Sequence, residues 1–171
     1  MEQGIKLLQA GVVGWQNAGA RLWLPIFRTL EAQACTKAGR ADAALQAIED
    51  ALAIAEKTGE CWAMAEVLRV KAQLLQAAGQ ATGEIEATLL RSLEIARGQQ
   101  ARSWELRTSC DLARLLRDQG RGTAALELMQ SVYDQFTEGF ETVDLREAKE
   151  LISSGDELGR AAVSPRPRDR A

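Results

Sequence analysis

The chain has 171 residues, 46% of them hydrophobic, a net charge of −3 and no histidine. That is enough apolar content to bury a core. The missing imidazole removes the commonest general base and metal ligand near neutral pH, and the mild negative charge argues against a chain built to neutralise phosphates.

No run approaches the roughly 18 apolar residues of a membrane span, and the start Met-Glu-Gln-Gly-Ile-Lys lacks a signal-peptide core. The expectation is a cytoplasmic protein with no membrane or nucleic-acid partner. The cysteines Cys35, Cys61 and Cys110 form no CxxC pair. They read as reduced, partly buried thiols that fill the core, with no cofactor and no metal site.

In chain order, residues 1–17 read as the second helix of an upstream repeat. Leu7, Leu8, Val12, Val13 and Trp15 give it an apolar surface that invites self-association. A first full repeat follows over 18–58: a helix through Leu22, Phe27, Leu30 and Ala34, a turn at Gly39, and a helix from Asp42 to Lys57 stopped by Gly59. The second repeat pairs Cys61–Ala78 with Glu84–Arg97, closed by Gly98. The third pairs Ser103–Gln119, with Ser103 as N-cap, with Thr123–Thr137, stopped by Gly139.

A short helix to Ile152 then caps the stack, with Leu145, Ala148 and Leu151/Ile152 on one face and an Asp144/Glu147 capping box. Phe136 and Phe140 are expected to seat it. The domain is therefore 18–153, and residues 154–171 have the composition of a disordered tail.

The three repeats are in register. The turn glycines Gly39, Gly79 and Gly120 stand 40 and 41 residues apart, each preceded 16 or 17 positions earlier by Trp23, Trp62 or Trp104. Ala and Leu abound and β-branched runs are absent, so local preference agrees with the helical period. The expectation is an all-α fold: an α-solenoid of about three helix pairs with a period near 40, a partial N-terminal repeat and a C-terminal capping helix. The matched phase of the tryptophans favours a place in the core, packing between repeats, over a ligand platform.

Charge is uneven along the chain. From Arg91 to Arg121 there are seven arginines and four acids, a local +3 that leaves −6 for the rest. Positions three, four and three apart share a helical face. In the third repeat they are Arg107, Cys110, Arg114 and Arg117; in the second, Glu66, Arg69, Gln73 and Gln76; in the first, Ile26, Thr29, Gln33 and Thr36. Leu106, Leu112, Ala113, Leu115 and Leu116 face the other way.

Ala32, Ala72 and Ala113 before each glycine, with Ala44, Ala51, Ile85, Ser92, Ala125 and Val132 after it, resemble the tetratricopeptide pattern. The segments Ala101-Arg102-Ser103-Trp104-Glu105-Leu106-Arg107 and Phe136-Thr137-Glu138-Gly139-Phe140 are more particular. They resemble the C-terminal tetratricopeptide region of bacterial multidomain regulators in which an adenylate/guanylate cyclase or DNA-binding module precedes an ATPase module. The resemblance implies a non-enzymatic regulatory arm for protein–protein contact, with the catalytic parts upstream. It also implies that the first helix of each repeat lines a concave groove, with Glu66, Arg69, Gln73, Gln76, Arg107, Arg114 and Arg117 as partner-binding positions.

Guanidinium groups bind carboxylates bidentately, so the expected partner is an acidic peptide or the upstream ATPase module. Two alternatives stay open. The arginines are a solvated face paired internally with Asp111 and Asp118, or the arm is a small-ligand sensor.

Overall fold

The computed structural model describes residues 2–163, and the side chains of 2–155. The described residues form eight α-helices and no strand: α1 (Glu2–Asn17), α2 (Leu24–Lys37), α3 (Ala41–Thr58), α4 (Met64–Ala77), α5 (Thr82–Gly98), α6 (Arg102–Asp118), α7 (Gly122–Tyr133) and α8 (Val143–Val163). The fold is all-α. None of these helices is long and apolar enough to cross a membrane. The chain divides into two compact units, Met1–Thr108 and Ser109–Ala171.

In the first unit, α2 packs on α3 and α4 on α5, while α4 also touches α2 and α3, and α1 lies on α2. Helix α3 shows why. Its alanine-rich sequence costs little helical entropy, and Ala44, Ala47, Ile48, Ala51 and Ala55 recur every three or four residues as one buried stripe. Small side chains let α2 and α4 approach, and Ala32, Cys35, Val67, Val70 and Leu74 close the core around Ile48. Ile5 joins that core and Val12 is buried, but Leu7, Val13 and Trp15 on the same helix are exposed. In the second unit α7 packs on α8, with Leu145 and Ala148 buried on the predicted face.

The structure corrects several predicted boundaries. Helix α2 begins at Leu24, not before Leu22, because Pro25 is tolerated only in the first turn; Leu22 and Leu30 are exposed. Gly59 caps α3 at φ 71° as predicted. Gly98, by contrast, is the last helical residue of α5, and the positive φ falls at Gln100. Ser103 sits inside α6 and is not its N-cap.

Helix α7 stops at Tyr133, four residues early, since Asp134-Gln135-Phe136-Thr137 favours helix weakly. Phe140 packs its ring on Tyr133 at the end of α7, with centroids 5.8 Å apart. Asp144 lies within the first turn of α8, and the Glu147 carboxylate is bonded to Arg114 instead of closing a capping box. Helix α8 runs on to Val163, past the predicted boundary at 153; residues 164–171 of the predicted tail lie outside the described residues.

Candidate functional site

A cleft of about 300 Å³ opens between α2 and α4, lined by Gln33, Thr36, Lys37, Arg69, Val70, Gln73 and Leu74. Four of these, Gln33, Thr36, Arg69 and Gln73, are positions whose helix phase the tetratricopeptide resemblance assigns to the groove. The apolar floor comes from Val70 and Leu74, which reach the cleft one residue aside from that stripe.

Arg69 is the structural centre of the cleft. Its Nε and Nη2 donate to the two oxygens of Glu66 at 2.8 and 2.7 Å, and both residues are buried. The fork geometry suits a bidentate pair on adjacent turns. The Gln33 amide donates to Glu66 Oε1 at 3.5 Å, tying α2 to α4, and Thr36 Oγ1 returns to the Ala32 carbonyl at 2.8 Å. Lys37 is exposed at the lip in the last turn of α2 and pairs with no acid among the described residues. The helix C-terminus favours a cation there. Glu66 neutralises Arg69, so Lys37 gives the opening its positive charge.

The remaining predicted positions do not line this cleft. Gln76 is exposed at the end of α4, and Arg107 is half-buried on α6. In the second unit Arg114 bonds Asp111 on its own helix (3.1 Å) and Glu147 on α8. Arg117 Nη1 donates to Ser154 Oγ at 3.0 Å. Both side chains are occupied by α6 and α8, and Asp111 was one of the internal partners read from sequence. The opposite face is core: Leu106, Leu112, Ala113, Leu115 and Leu116 are all buried.

Sequence reasoning missed Lys37, Val70 and Leu74, and it misplaced the tryptophans. Trp23 and Trp62 are in contact (5.0 Å between ring centroids), as are Trp62 and Trp104 (5.8 Å), yet Trp23 is 47% and Trp62 37% exposed. They touch across repeats but lie outside the core. A buried polar bridge also went unread: Ser92 Oγ bonds the Ala65 carbonyl (2.7 Å) and Thr108 Oγ1 (2.9 Å), joining three helices.

Cys35 and Cys110 are buried as expected, whereas Cys61 is exposed. Burial raises the Cys35 thiol above its ordinary value and pushes Cys110 up to about 12, with Arg114 offsetting only part of the effect. The thiolate is the nucleophile. At pH 8 a thiol reagent should therefore titrate one cysteine rapidly in the native protein, lost in Cys61→Ser, and all three after unfolding. Rapid reaction of Cys110 in the folded state would contradict its burial. The raised value also has a stability consequence: above about pH 9 the unfolded thiol ionises first, so stability falls as pH rises toward 12.

Among the described residues, no group of three or more His, Cys, Asp or Glu side chains is placed to hold a metal ion. No protein-family model matches the chain, and no curated protein matches it.

Proposed function

We propose that the chain is a non-enzymatic helical-repeat interaction module of tetratricopeptide type, whose α2–α4 cleft takes an acidic peptide segment of a protein partner. The observation that carries this reading is the convergence of Gln33, Thr36, Arg69 and Gln73, from matching phases of two successive repeats, on one cleft. The helix contacts of the first unit support the solenoid arrangement: α2 touches α3, α4 touches α5, and α4 touches both helices of the preceding pair. The cleft combines amides, a hydroxyl and a lip cation over an apolar floor, which fits an extended segment with a carboxylate at one end.

The arm belongs with cyclase- or DNA-binding-type ATPase regulators on the resemblance described above, and an ATPase module of that kind is the first partner to try.

Reversing charge at exposed lining positions tests the reading without touching the core. Lys37→Glu with Gln73→Glu should weaken an acidic partner by more than about 1 kcal/mol, from a lost charge-assisted contact and added repulsion, and leave helical content unchanged. Salt should weaken the wild-type complex in parallel, as rim charges are screened over about 10 Å at 0.1 M. Unchanged affinity in the double variant rejects the cleft as the binding site.

The cleft volume also supports a sensor reading, because about 300 Å³ reaches the small-ligand range. A thermal shift with small carboxylates that is lost in the same variant would favour it over a peptide groove.

A further inference from the structure

The three half-exposed tryptophans form a second feature, independent of the cleft. Glu60 organises it: its Oε1 accepts the Trp23 backbone N–H at 2.6 Å and the Trp62 indole N–H at 2.7 Å. Trp15 fastens the same loop, donating its indole N–H to the Leu22 carbonyl at 2.8 Å and packing edge-on against Phe27. Trp23 itself is held at φ 75°, ψ −3°. That is the left-handed region, where a bulky side chain carries strain of about 1–2 kcal/mol. Strain retained under an exposed aromatic ring points to a use for that ring.

Three further facts define the ligand. The indole N–H groups of Trp23 and Trp104 donate to nothing among the described residues. Glu60 Oε2 also has no partner there, which leaves a carboxylate oxygen beside the Trp62 indole and the Trp23 backbone, a setting that attracts a cation. The centroid steps of 5.0 and 5.8 Å leave no room between the rings, so a ligand lies across the row and does not intercalate.

We propose that the Trp23–Trp62–Trp104 row is a docking surface for a proline-rich peptide in the polyproline II conformation that carries one central arginine. The two centroid steps, 5.0 and 5.8 Å, bound the row at about the length of one turn of that helix, about 9 Å. Prolines lie on the indoles, Trp23 and Trp104 donate to peptide carbonyls that the polyproline helix leaves unbonded, and the arginine pairs with Glu60 Oε2 while stacking on a ring.

The test is a titration of the full chain with the synthetic peptide Ac-Pro-Pro-Pro-Arg-Pro-Pro-Pro-NH2, read by tryptophan fluorescence. The expected result is saturable binding in the micromolar range, lost when the prolines become alanines. Glu60→Gln keeps an oxygen for both N–H donors and removes only the charge, and it should weaken binding about fivefold. Trp23→Gly relieves the strained φ, so its melting temperature should equal or exceed that of wild type while binding is lost. Absence of saturation at millimolar peptide overturns the proposal, as does equal affinity in wild type, Glu60→Gln and Trp23→Gly. A concentration-dependent dimer abolished by Trp23→Gly, without peptide binding, also overturns it and assigns the row to a second copy of the chain.

Discussion

Glu66→Ala should lower the unfolding free energy by about 3 kcal/mol, the largest loss expected from a single polar substitution in this chain. Removing one member of a buried ion pair leaves the other uncompensated, which costs about 3–5 kcal/mol. The Glu66–Arg69 pair is buried, its side chains only 10% and 7% exposed, and the substitution strips Arg69 of its bidentate carboxylate. The control is Glu66→Met combined with Arg69→Met. Replacing both charges by apolar chains of similar volume removes the desolvation cost together with the attraction, so stability should stay close to wild type. Urea denaturation with unchanged m-values measures both. A loss below about 1 kcal/mol for Glu66→Ala would mean that solvent reaches Arg69. The double variant has a second use: a folded chain without the pair shows whether Arg69 also serves the cleft.

Ile48→Ala should cost about 2–5 kcal/mol through lost burial and the cavity left behind. Ile48 is fully buried and sits where α2, α3 and α4 meet, among small alanines that have little side chain with which to fill the space. Leu7→Ala is the matched surface control. Leu7 is 67% exposed on α1, and a substitution there should stay within about 0.5 kcal/mol. A cost at Leu7 comparable to that at Ile48 would show that the outer face of α1 is covered in solution, the self-association that its apolar content suggests.

The helical period was readable because it repeats. Ala44, Ala47, Ile48, Ala51 and Ala55 mark the same face turn after turn, and a single deviant residue does not hide such a stripe. Helix ends were less legible, since they rest on one or two residues. Gly59 could be read from its type alone, and Pro25 carried a start signal that moves α2 to Leu24. The early end of α7 depends on several weak preferences acting together, and the length of α8 has no punctuating glycine or proline at Ile152 to predict it.

The candidate site divides along the same line. Phase gave Gln33 and Thr36 on one helix the same register as Arg69 and Gln73 on the next, the resemblance turned both toward one groove, and they line one cleft. Phase could not say that Glu147 and Ser154, more than thirty residues downstream, would engage Arg114 and Arg117. Nor could it separate packing from exposure for the tryptophans. Equal spacing from the glycines requires that they occupy equivalent places, and a place beside the core satisfies it as well as one within.

If the α2–α4 cleft takes an acidic segment, its lining residues must respond to one in solution. The most direct test is amide and side-chain NMR of the full chain titrated with a glutamate-rich peptide at two salt concentrations. Saturable shifts centred on Gln33, Thr36, Lys37, Arg69 and Gln73 are expected, weaker at high salt and absent in the Lys37→Glu, Gln73→Glu variant. Saturable shifts elsewhere with these five residues unmoved, or no shifts at all at millimolar peptide, would contradict binding in the cleft.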